Sequence, residues 1–370
     1  MSVIIKSEVA GLARLSNKYG LMIDDWSLFI DFESDRYLKQ VNKAITELTG
    51  TIVGVTRNLT GSAQTMDRAG NKTTALANSA RKWRVSGRYG LLVEDLRTNY
   101  FLNSSSPITQ TITLPPSSNP IVISCLGSGA VTVSGTNIQD SGAYVFQDTP
   151  KAFYINELVS HSITVNCIGA LSHVQVEIAG GHATATSPIL TGAAAVTKSR
   201  DVVNLNNTFL ADSLGPNGQC TVLIQTIPMP ILDDQKQSFE NQMSLFSTTT
   251  SEILLALNQK AGTQLQRAKA TYAKSNLIVS DKLSESIKAQ KWGNVTALRF
   301  VPSQFTNACG GAVNEVIPID AGFIPNVLYL GLGHSSPISR AGLHGIVTKL
   351  AIFPRALTDL EVAEVTKSWN

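Results

Sequence analysis

Charge is what this chain has least of. Of its 370 residues, 30 are Lys or Arg and 27 are Asp or Glu, so 15% are charged, against about 25% in an ordinary soluble domain. Apolar content is a normal 43%. Ser, Thr, Asn and Gly therefore fill the gap, a mixture that favours strands and turns. The deficit excludes a coiled-coil rod and a charge-rich disordered chain. A net charge of +3 is too small to make nucleic acid the expected partner. The deficit is also local. Residues 101–190 hold one base, Lys151, and four acids, Asp140, Asp148, Glu157 and Glu177, whereas residues 1–100 hold 14 bases and 10 acids.

Other absences narrow the chemistry. Cys125, Cys167, Cys220 and Cys309 are far apart with no CxxC spacing, which excludes a zinc ribbon or thioredoxin-like motif. Cys125 and Cys167 lie in strand-like runs and read as buried free thiols of a protein made in a reducing cytoplasm. The stretch MSVIIKSEVAGLARLSNKYG has no continuous apolar segment before a cleavage site, so no secretory signal is expected. No run of about 18 apolar residues is present to span a membrane. HExxH, P-loop, GxGxxG and GxSxG motifs are missing. His161, His173, His182, His334 and His344 lie outside any nucleophile motif and read as turn or edge residues. Glu315 and Asp320 flank a strand-like 316–319 and read as loop carboxylates, not as a hydrolytic pair. The expectation is a protein without enzymatic activity, cofactor or metal.

What is present is mostly strand. Residues 101–190 alternate with period two in seven short runs: 108–114, 121–126, 130–134, 143–146, 152–156, 162–168 and 174–178. Gly, Pro, Asn or Asp separates most of them, as in an antiparallel β-sandwich. Residues 200–370 continue the theme, with strands expected at 220–227, 243–247, 253–257, 264–270, 277–280, 286–290, 295–300, 327–332 and 347–353. After Pro354, Thr358 and Glu361 have capping-box spacing for a helix over 360–368 that packs on the sandwich edge. The first hundred residues look mixed. Leu38, Val41, Ala44, Ile45 and Leu48 have helical spacing after the cap candidates Ser34 and Asp35. Residues 54–86 read as extended structure laid over a partner. Arg81, Lys82, Arg84 and Arg88 form the densest basic cluster, read as a solvated or subunit-contact strand, with phosphate binding as the lesser alternative.

Three stretches resemble a family of bacteriophage virion appendage proteins, the tail-fibre or receptor-binding proteins. Gly90-Leu-Leu-Val-Glu-Asp-Leu-Arg-Thr-Asn99 is similar to the family's opening of a first sandwich. Val174-Gln-Val-Glu-Ile-Ala-Gly-Gly-His-Ala-Thr-Ala-Thr-Ser-Pro-Ile189, with Gly192 to Asp201, resembles its exit strand and linker, with Lys198 where Arg is usual. Leu343-His-Gly-Ile-Val-Thr-Lys-Leu-Ala-Ile-Phe-Pro-Arg-Ala-Leu-Thr-Asp-Leu-Glu361 is similar to the end of a concanavalin A-like, or laminin-G-like, jelly roll. The resemblance implies a virion protein assembled in the host cytoplasm, with other virion proteins and two further copies of itself as partners, and no nucleic acid or membrane. The C-terminal domain has no obvious acidic calcium loop.

Together these readings predict a mainly β protein: a virion-attachment region over 1–98, a small β-sandwich over 99–189, a linker over 190–202, and a concanavalin A-like sandwich over 203–370. Gly90 and Gly180-Gly181 are expected at positive φ. Ser187-Pro188 favours an extended link. Arg97 is expected to pair with Glu94 or Asp95, and Arg355 to anchor the terminal helix. Host-surface glycan is the expected ligand, because exposed aromatic faces stack on sugar rings. Trp292, beside Asn294 in a loop-like setting, is the best stacking candidate, followed by Tyr144 and Tyr154. Phe146, Phe153 and Phe305 are further aromatics near sandwich loops. The alternative is a purely structural decoration or adaptor protein of the head or tail.

Overall fold

The computed structural model describes residues 21–369 apart from 22, 58–62, 137, 148, 156–158, 180–182, 231, 233–236, 248–250, 261–264, 275–276, 284–286, 289–293, 321 and 332–342. The protein is mainly β, built from antiparallel sheets in two sandwiches, and the smaller sandwich is inserted into the larger one.

The first sheet of the larger sandwich runs Ala312–Val313, Gln304–Cys309, Asn294–Val301, Cys220–Pro228, Gly345–Phe353, Leu28–Asp31, Arg36–Val41, Ala44–Glu47. Gly345–Phe353 is its centre. One edge of this strand pairs with Cys220–Pro228. The other is shared by Arg88–Val93, through Gly345↔Val93, and Leu28–Asp31, through Leu28↔Ile352. The whole strand is buried because both faces are covered. Leu350 and Ile352 enter the inter-sheet core with Leu28, Val222 and Ile224, whereas Ala351 and Phe353 face an outer core under the terminal helix. The second sheet runs Leu277–Leu283, Leu265–Lys274, Ser251–Lys260, Gln237–Ser247, Val327–Leu330, Val202–Leu205, Val53–Thr56.

Residues 28–93 thus contribute strands to both sheets, which differs from a separate region ending at residue 98. The physical reason is edge satisfaction. Without Leu28–Asp31 and Arg88–Val93, a fully buried and mostly apolar central strand would be left as an open edge. Two local expectations also change. The helix expected over 34–48 is a hairpin of Arg36–Val41 and Ala44–Glu47. Asn42 and Lys43 turn it with φ of 49° and 66°, the pair of positive values that a two-residue hairpin loop requires. Gly90 is needed for space and not for positive φ, since a Cβ there would sit 2.6 Å from the Val347 carbonyl oxygen. Gly180 and Gly181 lie outside the described residues.

The tail forms the helix Asp359–Ser368 with a complete Thr358/Glu361 capping box. It packs on the outer face of the first sheet toward the edge formed by Gln304–Cys309 and Ala312–Val313, and Val362, Val365 and Trp369 share a core with Phe29, Leu223 and Phe353. Arg355 anchors it as expected, with both guanidinium branches on Glu361 at 2.8 and 2.6 Å and a further pair to Asp25.

The small sandwich has a four-stranded sheet, Gln110–Leu114, His161–Ile168, Ala130–Gly135, Tyr144–Val145, against a five-stranded one, Lys151–Phe153, Ile121–Gly127, Leu171–Ile178, Arg97–Asn99, Val196–Lys198. All seven strands expected from alternation are present. Its core is its own, with Ile112, Leu114, Ile123, Val131, Val133, Val145, Ile163, Val165 and Val176 facing one another. The stretch read as a linker is in part strand, since Val196–Lys198 pairs with Arg97–Asn99 and closes the module.

Candidate functional site

Alternation places one set of small-sandwich side chains in its core and the other set outside. On the outer face of the four-stranded sheet, opposed residues form polar cross-strand rows. Thr113 meets Ser162, with hydroxyls 3.3 Å apart, and Thr111 meets Thr164, at 3.1 Å. Ser134 is the next neighbour of Thr164. In a third row, Asn166 lies opposite Thr132, its amide donating to the threonine hydroxyl at 3.4 Å, and Thr132 lies opposite Tyr144. The Ser, Thr and Asn side chains of these rows carry no ionisable group.

The edge of this face is aromatic. Tyr144 and Phe146 flank the buried Val145, so both point outward, and each is 52% exposed. Their rings lie 6.0 Å apart and within 12° of parallel. Two exposed, nearly parallel stacked rings beside hydroxyls and an amide form an aromatic platform with hydrogen-bonding groups at its margin. Such a surface suits a ligand with one apolar face and a polar perimeter.

The other predicted site residues do not join it. Tyr154 is half-buried after Lys151–Phe153, the edge strand of the opposing sheet. Asn294 opens the strand Asn294–Val301 of the larger sandwich, opposite Thr226. Trp292 lies outside the described residues. Phe153 and Phe305 are core residues. Phe146 is the partner outside the four predicted site residues, although its position two residues from Tyr144 already puts both rings on one face.

The neck between the sandwiches is the second concentration of polar groups. The chain leaves the larger sandwich at Glu94 and returns at Asp201, and the two are clasped: the Glu94 amide donates to Asp201 Oδ2 at 3.1 Å and the Asp201 amide to the Glu94 carbonyl at 2.9 Å. Arg81 donates to Glu94 Oε2 at 2.8 Å, to Ser187 Oγ at 2.9 Å and to both Asp201 oxygens. Arg57 donates to Asp201 at 3.0 Å, and Lys198 to Glu94 at 2.8 Å. The Ser187 amide and hydroxyl complete the Glu94 shell at 2.5 and 2.6 Å. All five charged side chains are at most 1% exposed. Burial pushes the Glu94 carboxyl up, but Lys198 and Arg81 outweigh it and hold it well below the usual carboxylate range. Burial also lowers the Lys198 ammonium, against the pull of Glu94.

The neck and the strands around it correct two expectations and extend a third. Arg81 is a buried ion-pair partner, not a solvated cation. Lys82 and Arg88 pair with Asp35 and Glu33, while Arg84 donates to the Arg68 carbonyl. Arg97 is buried and acts on Asp95, one of its two expected partners, and on Glu177; Asp95 also pairs with Arg200, and Glu94 with Arg81 and Lys198. The segment 54–86 lies over its own chain, through Val53–Thr56 against Val202–Leu205 and the hairpin of Gln64–Met66 and Lys72–Thr74.

His161, His173 and His344 are buried rather than at turns or exposed edges, and His182 and His334 lie outside the described residues. Glu315 and Asp320 are exposed on either side of the short strand Ile317–Pro318. Cys125, Cys220 and Cys309 are buried free thiols and Cys167 is half-buried. Burial pushes the Cys220 and Cys309 thiols up to about 12. Among the described residues, no group of three or more His, Cys, Asp or Glu could hold a metal ion, and no helix is long and apolar enough to cross a membrane.

No protein-family model matches this chain, and no curated protein sequence matches it. Among solved structures it is similar to the CBM40 module of the Ruminococcus gnavus IT-sialidase bound to α2,3-sialyllactose, at 12% identity and a TM-score of 0.30, over 40% of this chain and 82% of that one. It is similar to the NanB sialidase of Streptococcus pneumoniae at 15% identity and a TM-score of 0.30, over 45% and 27% of the two chains. It is also similar to the native heptameric SAP-like pentraxin of Limulus polyphemus at 8% identity and a TM-score of 0.27, over 74% and 82%. Likenesses this remote do not define a site.

Proposed function

We propose that this protein is a bacteriophage virion component, a tail-fibre-type appendage, which holds host-surface glycan on the outer face of its small sandwich. It acts by binding and not by catalysis. Its partners are other virion proteins and copies of itself in a trimer. The virion reading comes from the three sequence stretches that resemble appendage proteins. The glycan reading is carried by one observation, the stacked and exposed Tyr144–Phe146 pair beside the uncharged Thr132–Asn166 row. The rings would cover the C–H face of a sugar, and the hydroxyls and amide would bond its edge. A face without fixed charges gives up little ion solvation when a neutral glycan covers it.

The test is a Tyr144→Ala/Phe146→Ala double variant on glycan arrays and host cells. Both side chains point outward, so the melting temperature is expected to stay within about 2 °C. Glycan signal and cell adsorption are expected to fall at least tenfold. Unchanged adsorption by the folded variant would remove the platform from the reading. Incorporation of the wild-type protein into virions, with no binding to glycan or cells, would leave a decoration protein instead. A virion reconstruction that placed the chain away from every outer surface would end the adhesin proposal.

A further inference from the structure

A cleft of about 190 Å³ opens between the two sandwiches, lined on one side by residues of the larger, including Lys72, Trp83, Met229 and Pro230, and on the other by residues of the smaller, including His173. By volume it holds the equivalent of about six waters at roughly 30 Å³ each, enough room for one sugar ring. Among the described residues no Asp or Glu lines it.

Two groups in this cleft need partners. Lys72 is exposed at its margin, with its ammonium 5.8 Å from the centre of the Trp83 ring. Among the described residues no carboxylate pairs with it. His173 is only 4% exposed, and its Nδ1, itself buried, has no hydrogen-bond partner among the described residues. The neighbouring bonds define what Nδ1 requires. Gln175 Oε1 accepts from the Ile189 amide at 2.7 Å, and its Nε2 donates to Thr186 at 3.1 Å, which fixes the orientation of the amide. His173 Nε2 contacts that same Oε1 at 3.4 Å, so Nε2 carries the proton and Nδ1 is an acceptor facing no donor. Burial, with Lys72 adding to it against Gln175, holds the imidazole down to about 4. The ring is therefore neutral at ordinary pH and the acceptor is retained. The cleft thus offers a cation seeking an anion, an acceptor seeking a hydroxyl, and an apolar wall of Trp83, Met229 and Pro230.

We propose that this cleft binds a single acidic sugar ring, with its carboxylate on the Lys72 ammonium and one of its hydroxyls donating to His173 Nδ1. Because both sandwiches line the cleft, the ligand would also brace the neck. The site is separate from the Tyr144–Phe146 platform and does not depend on it.

Calorimetric titration of the full chain with galacturonate and glucuronate tests the proposal, with galactose and methyl galacturonate as controls. At least one uronate is expected to bind saturably, and the neutral sugar and the ester at least tenfold more weakly. Lys72→Met is expected to bring the acid down to the level of the neutral sugar, and His173→Phe to abolish binding. Lys72 is exposed, so Lys72→Met keeps the test valid even where His173→Phe fails to fold. The Tyr144→Ala/Phe146→Ala variant is expected to keep uronate binding, which separates the two sites. No saturable binding of either uronate up to about 50 mM, far weaker than the millimolar affinity of a minimal specific site, would overturn the proposal. So would equal affinity for galactose, or an unchanged affinity in Lys72→Met.

Discussion

Glu94 shows how one residue can hold two modules in register. It is a buried carboxylate serving Arg81, Lys198 and both polar groups of Ser187. Replacing such a network wholesale with apolar residues is often neutral, but removing one member strands charges without partners. Glu94→Gln is therefore expected to cost about 3–5 kcal/mol, read as a shift in the urea unfolding midpoint at pH 7. The pH dependence has a definite sign. The folded-state carboxyl lies well below its ordinary value of 4.5. Its stabilisation is present above that value and is lost as pH falls through the acid range toward the folded-state value. The gap between wild type and Glu94→Gln is expected to narrow as the urea titration moves from pH 7 to pH 3. A gap independent of pH would show that Glu94 acts through packing alone.

At the scale of the element, strands with strict alternation were legible and the Arg36–Glu47 hairpin was not. The small-sandwich runs carry one apolar set and one polar set, which only a half-buried strand satisfies. In the hairpin, Val41 and Ile45 are apolar but exposed, 54% and 43%, and they gave a false helical spacing. The deciding signal was the turn: Asn42-Lys43 takes two positive φ values, a weaker cue than Asn-Gly. Lys43→Gly tests it directly. Glycine relieves about 1–2 kcal/mol of left-handed strain and returns about 0.4–1 kcal/mol through the unfolded chain. The thermal unfolding midpoint is expected to hold or rise, whereas the same change inside a helix would cost about 1 kcal/mol. Of the binding platform, Tyr144 was legible and its partnership with Phe146 was implicit in the alternation. The cleft was not, because His173 is ninety or more residues from Lys72 and Trp83 and joins them only where the sandwiches meet.

For the whole molecule, the insertion sets what can fold alone. The small sandwich has its own core and closes itself with Val196–Lys198 on Arg97–Asn99. A fragment of residues 97–198 is expected to give a cooperative thermal transition and a β-type circular dichroism spectrum. A fragment of residues 203–370 is not, because Gly345–Phe353 loses both partners on one edge and the second sheet loses Val53–Thr56. Cooperative folding of the 203–370 fragment would show that the first strands only decorate a self-sufficient sandwich. For the trimer proposed above, light scattering on the full chain is expected to give three times the 39.6 kDa chain mass.

The sparse charge of residues 101–190 belongs to the sequence by itself, and it marks the inserted module closely, because composition and period-two alternation are local properties. The fold class followed from the same alternation. Only the tertiary structure decided which strands meet, since Leu28 finds Ile352 across nearly the whole chain and no local pattern names so distant a partner. It also decided the fate of the charges. Arg81 and Lys82 are neighbours in sequence, yet Arg81 is sealed in the neck while Lys82 reaches the surface carboxylate of Asp35. Burial depends on what the rest of the chain lays over a residue, and at the neck that cover is the second sandwich.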